Sequence, residues 1–417
     1  MKAVILAGGL GSRMGNAFPG LPKPMVPLCG KPVLERQIEA LRKNGINDFT
    51  IFTCLHHEVI ERHFGCGEKF GVNIEYFVES TPLGTAGALF KIRPESDFLF
   101  LNGDLLFDFD LQRMREFHKS CNALITLFTH PNNHPADSSV VFADGSGKVT
   151  AFYDKARKPE NCPNLCNAGI QIVSPEIFDY LSFESAADFD GDVVIPLVKS
   201  GRIYSYKSAE YVFDIGTPSR LEKAENDLEN GRVKSIFKEK QKAVFLDRDG
   251  TINVHRDYIT DPSQMELLDG AAQAINRFHE LGYLVVVITN QPVVAKGMCT
   301  FETLNQIHNR LEMLLGEQGA YLDGIYFCPH HPKRGFEGEV KELKIECDCR
   351  KPKPGLILKA ARDFNIDLSA SFMAGDSERD VLAGINAGCE SVFINENGET
   401  VQNAPVYKNI FEFSQIL

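Results

Sequence analysis

Tryptophan is absent from this 417-residue chain, and so are any long apolar run, an excess of positive charge and an even set of cysteines. The missing tryptophan carries no functional meaning, because the 30 phenylalanines can fill cores in its place. No segment approaches the roughly 20 apolar residues that a membrane-spanning helix requires. The apolar start MKAVILAGG stops at glycines and has no basic leader before it, which predicts a cytoplasmic protein with no membrane partner. A formal charge of −12 repels a polyanion, so no nucleic-acid partner is expected. A small phosphorylated substrate needs only a local positive site and stays compatible with that charge. The 11 cysteines are odd in number and scattered except for one group near the end, which suits free thiols plus a metal site better than a disulfide framework. Neither the dinucleotide fingerprint nor the P-loop lysine motif occurs in the first glycine-rich loop.

What is present describes a globular chain too long for one core, with 43% apolar and 24% charged residues. Two segments open alike, AVILAGG at 3–9 and AVFLDRDG at 243–250, each a short apolar strand running into glycine and polar residues. Both read as the first buried strand of an α/β domain with its chemistry at the strand's C-terminal end. Strand patterns at 48–54, 73–79, 98–104 and 123–129 and helical spacing over 32–45 continue the alternation in the first half. Similar alternation fills the second half, and NIFEFSQIL closes the chain as a short helix covering the sheet. The stretch VKSIFKEKQK at 233–242 reads as a helix end and a short linker. The expected division is 1–235, a linker at 236–241, and 242–417.

In the first half GGLGSRMG at 8–15 and PKPMVPL at 22–28 follow the first strand. Glycines let backbone N–H groups approach phosphate oxygens, and Arg13 and Lys23 add the positive charge that a triphosphate and departing pyrophosphate require. Asp104 closes FLFLNGD and Asp214 closes an apolar run before glycine, so two carboxylates brought together could hold magnesium. With PLGTAGAL at 82–89, NAG at 167–169 and DIGTP at 214–218, the ordered set resembles the sugar-1-phosphate nucleotidyltransferases over nearly all of 1–235. That resemblance implies a Rossmann-like fold. It implies that Gly8, Gly9 and Arg13 handle nucleotide phosphates, Lys23 meets the reacting phosphates, and Asp104 and Asp214 bind Mg2+. It further implies that Gly84 and Thr85 line the nucleotide or sugar pocket, Asn167 and Gly169 lie near the sugar, and Lys155 meets the sugar phosphate. Asp154 stands where that family usually has Glu.

In the second half Asp247 and Asp249 follow the strand AVFL. Alternate residues at a strand end can surround one centre while Arg248 between them points elsewhere. One carboxylate can attack phosphorus and the other can protonate the leaving oxygen, then activate water. Thr289 and Asn290 after VVVI, Lys351 in CRKPKPG and Asp376 closing SFMAGD supply the hydroxyl, amide, ammonium and metal ligand expected around a transferring phosphoryl group. The set resembles the haloacid-dehalogenase-like phosphatases. There Asp247 is nucleophile, Asp249 acid/base and backbone metal ligand, Thr289 and Lys351 phosphate ligands, Asp376 a Mg2+ ligand, and Asp380 a support. Independently, Cys328 and His330 in CPHHP and Cys347 and Cys349 in CDCR form two ligand pairs around a breaker-rich loop, with the adjacent His331 not separable from His330 by spacing alone. The set suits a closed structural zinc site that would position Arg350 and Lys351.

Together with DRDGTIN and TNQ, that loop resembles the D-glycero-D-manno-heptose-1,7-bisphosphate 7-phosphatases, with histidinol-phosphate phosphatases as nearest rival. PVVAKG follows TNQ where those enzymes more usually read SGIARG, so Pro292 and Lys296 depart from the pattern. The first half is most similar to the heptose-1-phosphate guanylyltransferases, implying GTP and a phosphorylated heptose as substrates and a GDP-α-heptose as product. A different nucleotide or sugar, or a sensor built on enzyme folds, is the competing expectation, and a homo-oligomer is allowed.

Overall fold

The computed structural model describes residues 1–8, 18, 20–154, 156–398 and 400–417. Two compact units are present. The first comprises Met1–His130, Val141–Ala156 and Asn167–Ser235, and the second Pro131–Val140, Arg157–Cys166 and Ile236–Leu417.

The first unit is built on a sheet whose parallel heart has the order Phe98–Asn102, Ala3–Leu6, Asp48–Thr53, Asn73–Val78. Cys166–Val173 runs antiparallel beside Phe98–Asn102. The apolar runs form these strands because both faces are covered, and Ala3, Ile5, Phe49, Ile51, Leu99 and Leu101 are all buried. Helix Val33–Lys43 packs Leu34, Ile38 and Leu41 into that core and ends before Gly45, whose φ of 83° stops it. A small ribbon pairs Leu105–Asp108 with Tyr211–Asp214.

The second unit carries a parallel sheet ordered Gly324–Cys328, Tyr283–Asn290, Lys242–Leu246, Phe372–Gly375, Glu390–Ile394, Val406–Tyr407. The chain leaves Lys242–Leu246 toward one side of the sheet and returns on the other, so a crevice opens beyond the carboxyl ends of the central strands. Helix Ile410–Ser414 closes the chain and buries Phe413 against Phe278 and Phe372 at ring distances of 5.5 and 5.6 Å.

No helix occurs in the stretch 233–242. Helix Pro218–Glu229 stops earlier, at Asn230 and a Gly231 with φ of 66°. Of the lysines that suggested helix, Lys234, Lys238 and Lys240 lie in bends, turns or irregular chain, while Lys242 opens a strand. Residues 236–241 are fastened to the second unit: Asn365 Nδ2 donates to the carbonyls of Ile236 and Glu239, and Gln241 N–H to that of Asn365. Two excursions of the first half also join the second unit, where Asn164 N–H donates to Glu312 of helix Phe301–Glu317. Among the described residues no helix is long and apolar enough to cross a membrane.

Candidate active sites

In the first unit a cleft of about 250 Å3 opens at the carboxyl end of the sheet, lined among others by Thr85, Asp104, Asn167, Gly169, Asp188, Asp190 and Asp214. Backbone pairing brings the two metal-candidate acids together: Asp214 stands opposite Leu105, and Ile215 N–H donates to Asp104 C=O at 3.1 Å. Gly103 sets the height of Asp104. A Cβ there would lie 2.6 Å from Leu6 C=O, so only glycine lets the NGD turn close on the first strand. Lys23 Nζ is paired with Asp104 Oδ2, and Arg220 Nη1 with Asp214 Oδ2, so each acid has a cation beside it. Gly8 lies against Cys54, and Gly84 precedes Thr85, whose hydroxyl donates to Asp188 Oδ2 at 2.9 Å and accepts from Phe189 N–H at 2.6 Å. Gly9, Arg13 and Lys155 lie outside the described residues.

Sequence reasoning passed over Asp188, Asp190 and Arg220. The π-helical turn Phe189–Val194 presents Asp190, which accepts from Asn167 Nδ2 at 3.1 Å. Its signal was the acid-rich run DFDGD at 188–192, unreadable without a partner. Arg220 sits six residues after Asp214, on the first turn of helix Pro218–Glu229, and no spacing rule links the two.

In the second unit Asp247, Thr289, Asn290, Arg350, Lys351 and Asp376 all line one cleft of about 290 Å3. Asp247 and Asp376 follow adjacent parallel strands, and Thr289 ends the strand on the other side. Lys351 is buried, with Nζ 2.8 Å from Asp247 Oδ1, 2.6 Å from Asp380 Oδ1, and donating to Ile288 C=O at 2.7 Å. Burial opposes its charge, but Asp247 and Asp380 outweigh burial and hold the ammonium above its ordinary range. Asn290 fixes that lysine's backbone, donating to Lys351 C=O and accepting from Lys351 N–H, each at 3.1 Å. Arg350 donates to His330 C=O at 3.1 Å.

Oxygens of Asp247, Asp376 and Asp380 lie within 4.8 Å of one another, a group able to hold a metal ion. Asp380 Oδ2 already accepts from Ser377 N–H and hydroxyl, leaving Asp247 and Asp376 as the freer pair. Burial, with Asp380 nearby, pushes the Asp376 carboxyl up to about 6, and burial likewise raises Asp247. A dication relieves such crowding of acids.

Asp247 and Asp249 line the cleft and Arg248 does not, as the alternation predicts, but Arg248 is not idle. It is fully buried and folds back onto its neighbour, donating to Asp249 from Nε at 3.2 Å and from Nη2 at 3.0 and 2.8 Å. Asn253 and Gln291 donate to the same carboxylate at 3.0 and 2.8 Å. Burial pushes Asp249 up, yet Arg248 and these donors prevail and hold it below the usual carboxylate range. The strand ends at Leu246, so no strand pattern announces that Arg248 folds back onto the next residue.

Cys328, His330, Cys347 and Cys349 converge, with donor atoms 3.2–3.7 Å apart. A tetrahedron of bonds about 2.3 Å long has edges of roughly 3.7 Å, so the set fits a four-coordinate metal. Burial and the neighbouring Cys349 raise the Cys328 thiol, so ionising this group requires a cation. His331 lies outside the cluster, its Nδ1 3.2 Å from Lys333 C=O.

Residues 2–231 match the family described as nucleotidyl transferase, more than half of the chain. The chain belongs to the nucleotidyl transferase family. Residues 348–407 match the family described as HAD-hydrolase-like. The D-glycero-β-D-manno-heptose-1,7-bisphosphate 7-phosphatase of Pasteurella multocida is 39% identical over 161 residues, spanning 39% of this chain and 85% of that protein. Its namesake in Escherichia coli K12 is 40% identical over 162 residues, spanning 38% and 81%. The nucleotidyltransferase domain is thus fused to a HAD-like heptose-bisphosphate phosphatase domain. A crystal structure of a candidate glucose-1-phosphate thymidylyltransferase from Bacillus anthracis superposes with a TM-score of 0.50 at 22% identity, covering 54% of this chain and 94% of that one, a likeness of fold. The protein is a bifunctional enzyme, a transferase and a phosphatase of carbohydrate metabolism.

Proposed function

We propose that the phosphatase domain removes the 7-phosphate of D-glycero-D-manno-heptose 1,7-bisphosphate, and that the transferase domain then moves GMP from GTP onto the heptose 1-phosphate. The observation that carries the first step is the convergence of Asp247, Lys351 and Asp376 in a domain about 40% identical to named heptose-bisphosphate phosphatases. Asp247 attacks phosphorus while the C7–oxygen leaves with a proton passed through Asp249, giving an aspartyl-phosphate. Arg248, Asn253 and Gln291 hold Asp249 ionised in the free enzyme, so that proton arrives with the substrate's phosphate. Asp249, now a carboxylate gripped by Arg248, takes a proton from water, and that water releases inorganic phosphate from Asp247. Mg2+ held by Asp247, Asp376 and the carbonyl of Asp249 would neutralise phosphate charge, and Lys351 supplies a second cation beside the nucleophile. Zinc in the Cys3His set would hold the loop that carries Arg350 and Lys351.

In the transferase domain an oxygen of heptose 1-phosphate attacks the nucleotide α-phosphorus and pyrophosphate departs. That nucleophile is already anionic, so positioning and charge neutralisation supply the catalysis. Asp104 and Asp214 would hold Mg2+, with Lys23 and Arg220 as their counter-ions until the cation binds. Arg13, Gly8 and Gly9 would meet the triphosphate, Gly84 and Thr85 the pocket wall, and Lys155, Asn167 and Gly169 the sugar phosphate. The eleven free cysteines suit a reducing, cytoplasmic setting.

The α anomer follows from the guanylyltransferase resemblance. The phosphatase relatives are named for the β anomer, which favours a second reading in which the β-1-phosphate is the shared intermediate. Incubation of each anomer of the bisphosphate with each of the four nucleoside triphosphates, followed by mass analysis, separates the two. GDP-heptose from the α anomer supports the proposal. No 7-dephosphorylation of either anomer would sink it.

A further inference from the structure

Lys296 is 7% exposed and forms no ion pair among the described residues. A buried ammonium needs other compensation. It finds this between two rings, 4.1 Å from the centroid of Tyr258 and 4.6 Å from that of Phe336, while Nζ donates to the Tyr258 hydroxyl. Lys344 lies 4.3 Å from the centroid of Phe336, and the His331 ring meets Phe336 edge-on at 5.4 Å. The backbones interlock as well. Val340 N–H donates to Ala295 C=O at 3.1 Å, and Gly297 lies so close to Gly338 C=O that a Cβ would collide with it.

Three segments therefore meet at Lys296: the loop bearing Tyr258, the turn after Gln291, and the Cys/His loop with Phe336. Tyr258 and His331 line the phosphatase cleft, whereas Lys296 does not. Because the Tyr258 oxygen accepts from the ammonium, its own hydrogen is left to donate to an oxygen in the cleft.

We propose that Lys296 is a positioning residue that pins Tyr258 to the Cys/His loop and so shapes the wall receiving the polyhydroxylated part of the substrate beyond the transferred phosphate. The inference rests on the phosphatase reading above for its substrate. It also gives a role to the positive charge kept at this departure from the usual pattern, a cation held between rings.

The test compares Lys296→Met and Lys296→Arg in the full chain, with heptose 1,7-bisphosphate and with acetyl phosphate, which has no sugar. K296M should raise KM for the bisphosphate about fivefold to tenfold and change kcat/KM for acetyl phosphate by less than about twofold. Zinc content should be unchanged, and K296R should recover most of the loss. Hydrogen exchange should quicken in K296M over residues 255–260. Equal losses on both substrates, loss of zinc, or unchanged KM with unchanged exchange would each overturn the proposal. Should K296M not fold, Tyr258→Phe removes the same bond from its other end and must raise the bisphosphate KM likewise. If the wild-type enzyme turns over acetyl phosphate and ignores the heptose bisphosphate, the substrate reading fails, and the exchange comparison still decides the clasp.

Discussion

The residue that departs most from expectation is Arg248, a fully buried guanidinium holding the carboxylate beside the nucleophile. Removing one member of a buried charge pair strands the other, at a cost of about 3–5 kcal/mol. Arg248→Met should lower the melting temperature of the phosphatase domain and reduce phosphatase kcat at least about tenfold, since Asp249 loses its alignment. Calorimetry and steady-state assays check both, and an unaltered kcat would remove Arg248 from the mechanism. Asp376 gives a pH signature. Its carboxyl is raised to about 6 from an ordinary 3.8, so between those values the folded protein keeps a proton that the unfolded chain has lost. Without metal, this group's contribution to stability falls as pH rises through that window. A dication at Asp247 and Asp376 favours the ionised form, so the rise in Tm produced by Mg2+ should be larger at about pH 7.5 than at about pH 5.

Among the elements, the strands were the most legible because their apolar runs stand out, buried on both faces at 49–52 and 98–101 and less so in the edge strand at 73–78. The expected runs at 48–54, 73–79 and 98–104 appear as Asp48–Thr53, Asn73–Val78 and Phe98–Asn102. The helix end expected within 233–242 had lysines but no apolar stripe to dock, and propensity without packing does not hold a short helix in water. The terminal helix shows the converse. Ile410–Ser414 is five residues long and is held by Phe413 between Phe278 and Phe372. Phe413→Ala should destabilise the phosphatase domain by about 3–5 kcal/mol, read as a lower denaturation midpoint, with transferase activity retained. The Cys/His loop is an element of a third kind, closed by ligands. Cys349→Ser, or prolonged chelation, should release metal, speed hydrogen exchange across 329–350 and depress phosphatase turnover, because Arg350 and Lys351 leave the loop directly.

At the scale of the whole molecule the two chemistries should be separable. Asp247→Asn should abolish phosphate release and leave nucleotidyl transfer to heptose 1-phosphate intact, and Asp104→Asn should do the reverse, with folding retained in both. Assay of each half-reaction on each variant checks this, and loss of both activities in either variant would contradict independent sites. The residue order along the chain determined a great deal by itself. Two apolar strands running into polar turns announced two α/β units, and each short motif, NGD, DRDG or a Cys/His pair, was legible because its own residues stand only a few positions apart. What the tertiary structure decided involves residues distant in sequence or freed from regular periodicity. Arg248 folded onto Asp249 beyond the strand's end, Arg220 met Asp214 from a helix, Asp190 met the transferase cleft from a turn, and Lys296 found two rings 38 and 40 residues away. The excursions at 131–140 and 157–166 joined the second unit for the same reason: contact partners far along the chain are chosen by packing, which local pattern does not encode.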